Sequence, residues 1–233
     1  VNNMRRKNPH TEAICEPRTL SSSKVTIGDL ERMETAILSA LTSEDALTKI
    51  GEQSYIHKNG FVKLTLAKVN GKKYRVHIFD VDAVADQNIH NHRWDFTSKV
   101  LCGALPMYLY KVIDGKEYYF HTYTRNGNTY TVVHQGFCDI VEAPLRYFDA
   151  GTGYMMPKEL HHRIGAVEEL TVTYMVTEET DQPTCDLINL EDKSEGGEEV
   201  IEPPLDSKTV FQSLQLVLGK IRILKEQITM GME

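Results

Sequence analysis

Two hydrophobic patterns divide most of the chain. From Thr26 to about residue 51, apolar residues recur at three- and four-residue spacings, which predicts amphipathic helices. Between residues 53 and 180, apolar and polar residues alternate along short runs that Asn-Gly and Asp-Gly pairs separate. This arrangement is typical of antiparallel strands joined by tight turns. One hairpin is predicted around Asn70-Gly71 and another around Asp114-Gly115. Because no helical pattern separates the strands, the sequence predicts an all-β core, an antiparallel barrel or sandwich.

The C-terminal segment carries a different pattern. Its apolar residues follow one another in steps of four and three, as on one face of a helix: Val210, Leu214, Val217, Ile221, Leu224 and Ile228. We therefore divide the chain into an irregular N-terminal arm with helices (1–52), a barrel (53–180), an acidic linker (181–207) and an amphipathic C-terminal helix (208–230). Two interpretations of that helix stay open, namely packing on its own barrel and formation of a homodimer.

Composition narrows the classes of partner. The chain has 233 residues, of which 41% are hydrophobic, enough for one sizeable core. Its net charge of −7 argues against nucleic acid and anionic membrane as partners. No apolar run approaches the roughly 20 residues that a membrane span needs, and the first residues lack a signal peptide's apolar stretch. The four cysteines form no Cys-x-x-Cys pair, so a reduced, cytoplasmic protein is expected.

Three histidines carry the candidate chemistry. In IHNHRWDF (residues 89–96), His90 and His92 are two positions apart, so their side chains share one face of a strand. In GTGYMMPKELHHRIG (residues 151–165), His162 follows a Gly/Pro-containing turn. The inward face of a small barrel can bring such side chains to one cation, and neutral imidazole binds iron, zinc, copper and nickel. The alternative is that these are hydrogen-bonded barrel histidines without metal.

The two tracts together resemble the paired motifs of the cupin superfamily. The matching positions are His90, His92 and Gly103 in the first motif and Gly151, Pro157 and His162 in the second. The resemblance implies an antiparallel cupin (jelly-roll) barrel with N-terminal helices and a C-terminal helix. The glutamate that many cupins add as a fourth ligand is replaced by Phe96 or Thr97. By strand parity Asp95 and His161 face away from the site, and their contribution stays open.

A cupin with three histidines and no carboxylate resembles the thiol dioxygenases, above all cysteine dioxygenase. IHNHRWDFTSKVLCG is similar to that family's Ile-His-x-His tract, and LHHRI resembles its Leu-His-Arg-Val tract. The resemblance implies an Fe(II) dioxygenase that oxidises a small thiol, such as cysteine or a related compound, to a sulfinate. Zinc, manganese or nickel are alternative metals. The alternative functions are a redox-inert metal isomerase, lyase or hydrolase, and a non-catalytic ligand-binding cupin.

The same resemblance suggests the residues around the metal. The family's catalytic tyrosine falls in TVTYMV, where Tyr174 is the candidate, and Tyr108 is a second tyrosine expected in the pocket. Five further residues are expected to bind substrate: Arg75, His57, Lys58, Trp94 and Phe96. The expected partners are a small-molecule substrate and O₂. The family's crosslinking cysteine is replaced by Thr97, so no Cys–Tyr cofactor is expected.

Overall fold

A computed structural model describes residues 20–57, 60–81, 88–126, 129–180, 182–199 and 202–231. The described residues form three helices, α1 (Ile27–Leu41), α2 (Glu44–Gly51) and α3 (Ser207–Thr229). Their strands are β1 (Ser22–Lys24), β2 (Tyr55–Ile56), β3 (Val62–Val69), β4 (Lys72–Phe79), β5 (Ile89–His90), β6 (Phe96–Cys102), β7 (Ala104–Asn126), β8 (Thr129–Glu142), β9 (Arg146–Asp149), β10 (Thr152–Met156), β11 (His161–Ile164), β12 (Thr171–Thr177), β13 (Thr184–Asn189) and β14 (Glu195–Glu199).

The strands form two antiparallel sheets. The first sheet has the order β1-β10-β6-β12-β4-β3-β2, and the second has the order β11-β5-β13-β7-β8-β14, with β9 paired to β7. Every pairing between the described strands is antiparallel. The predicted all-β core is therefore confirmed, an antiparallel jelly-roll barrel with helices before and after it.

Each helix begins at a polar residue that caps it. Thr26 and Asp29 form a capping box at the start of α1, Ser43 accepts from a backbone amide of α2, and Asp206 accepts from one of α3. These side chains satisfy amide groups that have no partner inside the helix. Asp29 also pairs with Lys99 of β6, and this ion pair ties the first turn of α1 to the first sheet.

The helices cover the outer face of the first sheet. Buried residues of all three helices pack in one cluster with Leu64, Val76, Ile78 and Val172 of that sheet. The predicted apolar seam of α3 lies in this cluster, and Leu214 and Ile221 are fully buried there. Glu34 of α1 adds ion pairs with Arg222 and Lys225 of α3 at 2.9 and 3.2 Å. The seam is thus buried within its own chain, and a homodimer through α3 stays a prediction.

The hairpin expected at Asp114-Gly115 is wrong. β7 runs without interruption through these residues, and its register against β8 shifts between Ile113 and Tyr118. Asp139 of β8 explains the shift, because its carboxylate accepts the backbone amides of residues 116 and 117, both at 2.9 Å. A bulge therefore replaces the turn. The hairpin at Asn70-Gly71 is confirmed, and both residues have positive φ.

The segment 181–207, expected to be a linker, contains two strands of the second sheet. β13 lies between β5 and β7, and β14 pairs with β8. Acidic residues, Gly and Pro dominate the segment's composition, and they hide the short run TCDLIN that forms β13. The barrel therefore extends beyond residue 180. The strand also matters for function, because Leu187 of β13 lies opposite His90.

Among the described residues, we find no helix with the length and apolar character needed to cross a membrane.

Candidate metal centre

The structure brings His90, His92 and His162 together. His162 of β11 lies directly opposite His90 of β5, and His92 follows two residues later in the chain. The ring centroids are 4.7 Å apart for His90 and His162, and 5.0 Å apart for the other two pairs. One nitrogen from each ring lies within 4.8 Å of the other two. Two adjacent strands and the turn after one of them thus supply three converging imidazoles.

Backbone carbonyl groups orient two of the three rings. His90 Nδ1 lies 2.8 Å from the carbonyl oxygen of Asn88, and His162 Nδ1 lies 3.2 Å from that of Leu160. A carbonyl oxygen can only accept, so each Nδ1 carries the proton and donates it. Each Nε2 then carries the lone pair that a metal ion needs. Metal-ligating histidines usually have this arrangement, so the donor set fits a metal such as iron or zinc.

The electrostatics keep two of the three imidazoles neutral. Burial, followed by the neighbouring histidines, holds the pKa of His92 well below its ordinary value, and Lys63 and Arg75 act in the same direction. Burial also lowers the pKa of His162 far below its ordinary value, and the charge of His90 adds to this effect. A neutral imidazole is the form that binds a metal. At His92 and His162, therefore, no proton needs to leave before a cation enters.

A second layer of hydrogen bonds fixes the strands that carry these histidines. Asn91 lies between His90 and His92 in the chain. Its side-chain NH₂ group donates to the Asp186 carboxylate at 2.9 Å, and its side-chain oxygen accepts the backbone amide of Asp186 at 2.6 Å. The same carboxylate lies 3.0 Å from His161 Nε2. His161 thus points to Asp186, whereas its neighbour His162 is 2% exposed and joins the centre. The sequence did not suggest Asp186, because its segment was expected to be a linker.

Two aromatic residues predicted to bind substrate, Phe96 and Trp94, lie beside His92. Phe96 is buried, and its ring meets His92 edge-on at 4.9 Å. The Trp94 ring stacks on His92 at 6.0 Å. Asp95, between them, accepts the backbone amide of Lys158 at 2.7 Å and does not join the three histidines. This contact ties the first histidine tract to the turn before His162, and it matches the expected direction of Asp95.

The two tyrosines expected to be catalytic lie elsewhere. Tyr174 packs in the hydrophobic cluster between the helices and the first sheet. Its side chain therefore lies on the outer face of β12, away from the barrel interior. Tyr108 lies opposite Arg163, whose guanidinium carbon is 4.9 Å from the Tyr108 ring centre. Because alternate residues of a strand face opposite sides, this register puts Tyr108 on the face away from His162. Neither position supports the predicted catalytic role, and the family resemblance gave no register that could have excluded it.

Three other residues were predicted to bind substrate, and the structure describes two of them, Arg75 and His57. Arg75 is 7% exposed and lies on the barrel face of β4, with its guanidinium carbon 5.4 Å from the Trp94 ring centre. His57 stacks on Phe61 with ring centroids 4.6 Å apart. Lys58 lies outside the described residues.

Three further cations share the surroundings of Arg75, and the sequence interpretation missed them. They are Lys63 of β3, Lys73 of β4 and Arg93 beside His92. The available signal was the run KKYRVH, in which Lys73, Arg75 and His77 alternate and so share a face. Alternating polar residues on a strand can face either solvent or the inside of a barrel. Exposure to solvent is the commoner case, so the pattern alone did not indicate an inward-facing group.

A second group of potential ligands lies on β7 and β8. His121 and His134 are opposite each other, and Asp192 lies beside them. Here His121 Nε2 is 2.8 Å from an Asp192 oxygen and 3.1 Å from the Lys193 amide. Nδ1 of His121 and Nδ1 of His134 are buried and have no hydrogen-bond partner among the described residues, but the Asp192 side chain is 48% exposed. The three histidines of the first group therefore form the stronger candidate centre.

No family model matches the chain, and no curated protein matches it. Solved structures give partial likenesses. HEPD from Streptomyces albus, with 2-hydroxyethylphosphonate and Fe(II) bound, is 8% identical over 52% of this chain and 22% of its own, with a TM-score of 0.32. The alignment thus spans less than a quarter of HEPD. A cupin-like protein from Thermotoga maritima is 12% identical over 65% of this chain and 84% of its own, with a TM-score of 0.31.

Hydroxypropylphosphonic acid epoxidase from S. wedmorenis is also similar in part, with 13% identity, a TM-score of 0.30 and coverage of 56% of this chain and 58% of its own. The class of the protein rests on its own strands and side chains. The two antiparallel sheets and the three converging histidines define an antiparallel β-barrel with a potential metal-binding centre.

Proposed function

We propose that the protein is a mononuclear non-haem iron oxygenase whose metal ligands are His90, His92 and His162. The observation that supports this most directly is the convergence of three imidazoles, which no carboxylate joins among the described residues. Three ligands on one side leave the remaining coordination positions open. Fe(II) bound there would supply positions for substrate and O₂ side by side, together with the electrons that activate O₂.

The protein's own residues prepare this chemistry. The carbonyl groups of Asn88 and Leu160 hold a proton on Nδ1 of two ligands, which keeps Nε2 directed at the metal. Phe96 and Trp94 place aromatic surface against His92. Such surface excludes water and strengthens every electrostatic interaction inside the pocket. The histidine set, the carbonyl groups and the aromatic wall thus act together to position a substrate in a poorly hydrated site.

The most specific form of this proposal is a thiol dioxygenase. Both atoms of O₂ would be added to the sulfur of a small thiolate to give a sulfinate, which needs no further reductant. Three neutral ligands leave the full charge on the cation, so an anionic thiolate is favoured at the open positions. Arg75 and His57 are proposed to contact the rest of the substrate. Arg75 has the better position, since it lies on the barrel face next to Trp94.

The test is elemental analysis of protein purified without chelator, together with O₂ uptake in the presence of small thiols. We compare the wild type with His162→Ala, and His161→Ala is the matched control. The two histidines are neighbours in the chain, but His161 points to Asp186 and only His162 joins the centre. We expect about one iron per chain in the wild type and in His161→Ala, and its loss in His162→Ala.

Other results would change the assignment. Zinc or nickel in the protein, with full turnover of a substrate under argon, would select a redox-inert isomerase, lyase or hydrolase. Iron without O₂ uptake for any thiol would remove the thiol form and leave the metal centre. Failure to bind any metal, even after Fe(II) is added back, would contradict the whole proposal.

A further inference from the structure

Four basic side chains lie near the three histidines, three of them on β3 and β4 and the fourth, Arg93, next to His92 in the chain. Lys63 of β3 lies opposite His77 of β4. Arg75 is two residues before His77 in the chain, so it lies on the same face of β4. His77 and Arg75 are both 7% exposed. Alternation puts Lys73 on this face as well. The opposite face of the same two strands carries Leu64, Val76 and Ile78, which pack on the helices. The cations therefore point into the barrel.

Trp94 is the common neighbour of three of these cations and of the metal centre. The Arg93 and Arg75 guanidinium carbons lie 4.9 and 5.4 Å from the Trp94 ring centre, and Lys73 Nζ lies 5.8 Å from it. The same ring stacks on His92 at 6.0 Å. A ligand that contacts this group is therefore within a few ångströms of the three histidines.

No acidic side chain among the described residues forms an ion pair with any of the four cations. Lys63 Nζ contacts the Tyr55 hydroxyl at 2.9 Å, and Arg75 Nε is buried with no hydrogen-bond partner. Burial, followed by the charge of Arg75, lowers the pKa of Lys73 to about 8. Burial, followed by the charge of Arg75, also holds the pKa of Lys63 well below its ordinary value. The basic side chains are thus concentrated, with no acidic partner among the described residues, in a protein whose net charge is −7.

An unpaired buried cation destabilises a fold, and proteins retain such groups mainly where a ligand supplies the missing charge. A single carboxylate would balance one charge and leave at least two of the charges of Lys73, Arg75 and Arg93 unbalanced. A group with two negative charges and several oxygens offers each cation a partner, and Arg75 can donate two parallel hydrogen bonds to it. A dianionic oxyanion therefore fits this pocket better than a monoanion does.

We propose that Lys63, Lys73, Arg75 and Arg93, arranged around Trp94, form a subsite for the dianionic end of the substrate. The substrate class is a small organic molecule that carries a phosphate-like or dicarboxylate group at one end and its reacting group at the three histidines. This inference rests on the proposed function for the reaction, but binding of the dianion needs neither metal nor turnover.

Trp94 provides the measurement, because it is the single tryptophan of the chain. We titrate its fluorescence with inorganic phosphate, malonate and acetate at constant ionic strength. We expect saturable changes with phosphate or malonate at concentrations about tenfold or more below those for acetate. If phosphate alone binds tightly, the subsite is specific for a tetrahedral oxyanion. If malonate alone does, it is specific for a dicarboxylate.

The variants are Arg75→Met and Lys73→Met, with Lys111→Met as the matched control. Lys111 is an exposed cation of β7, so its loss changes the net charge equally without touching the pocket. We expect Arg75→Met and Lys73→Met each to weaken dianion binding about tenfold or more, and Lys111→Met to leave it unchanged. If Arg75→Met does not fold, Lys73→Met still tests the subsite. Lys73 is only partly buried, so its substitution is less disruptive to the fold.

Three results would overturn the subsite. They are equal affinity for acetate and the dianions, unchanged binding in both pocket variants, and loss of binding in Lys111→Met as well. Each can occur whether or not the protein holds iron. Conversely, a protein that binds no metal but shows the expected fluorescence titrations would contradict the proposed oxygenase and leave the anion subsite in place.

Discussion

Ile221 of α3 provides a direct measure of how much the C-terminal helix contributes to stability. Its side chain is fully buried between the helices and the first sheet. Ile221→Ala removes three side-chain carbons from this core, and such truncations cost about 2–4 kcal/mol when the site cannot collapse. We expect the free energy of unfolding in urea to fall by about this amount, with an unchanged dependence on denaturant concentration.

Ile223, two residues later, is the matched control. Its side chain is 51% exposed, so the same substitution there removes little buried surface. We expect Ile223→Ala to change the free energy of unfolding by about 0.5 kcal/mol or less. A loss at Ile221 as small as the one expected at Ile223 would refute the packing of α3 within its own chain, whereas a loss at Ile223 as large as the one at Ile221 would contradict the exposure of Ile223. That result would mean that a second copy buries the outer face of the helix, and sedimentation of the wild type would then show a dimer.

Two other substitutions test local contacts. Burial alone would raise the pKa of Asp29, but hydrogen bonds from Lys99 and Thr26 outweigh it and lower the pKa to about 2. Asp29→Asn should therefore cost about 1–2 kcal/mol at pH 7, and the gap to wild type should close as the pH falls from about 4 to about 2, where urea unfolding curves measure it. A gap that is the same at pH 7 and pH 2 would contradict this coupling. Gly103 has a φ of +71°, and a Cβ there would lie 2.4 Å from Thr171 Oγ1, so Gly103→Ala should lose about 2 kcal/mol or more in thermal unfolding. Gly219→Ala, in an exposed and open helical position, should gain about 0.5–1 kcal/mol; a similar loss at both glycines would refute the local explanation.

The sequence pattern correctly predicted those elements that depend on residues close together in the chain. The helical spacing of α1 and α3, and the turn at Asn70-Gly71, follow from neighbours in sequence, and the structure contains all three. The bulge in β7 depends on Asp139, more than twenty residues away, so Asp114-Gly115 looked like a hairpin turn. β13 depends on two neighbouring strands that complete its hydrogen bonds, and its own six residues carry little pattern.

The candidate site shows the same division. His90 and His92 share a face by parity alone, and the spacing from Pro157 selected His162 over His161; the structure brings the three together. The position of Tyr174 depends on which face of β12 the helices cover, and no residue within that strand determines this. The cation group likewise depends on the pairing of β3 with β4. Side chains that meet across strands become visible only when the register is known.

The first sheet separates two tasks by the parity of its residues. On β4, Val76 and Ile78 hold the helices, whereas Arg75 and His77 line the pocket. Adjacent residues of β4 are thus under different constraints. Val76 and Ile78 must fit the shape of the helix interface, whereas Arg75 and His77 contribute polar groups to the barrel interior. If the proposed anion subsite exists, substitutions on the barrel side change which molecules bind, while the helix side preserves the architecture. β3 and β4 are therefore the natural place to diversify specificity, both for evolution and for a mutant library restricted to alternate codons.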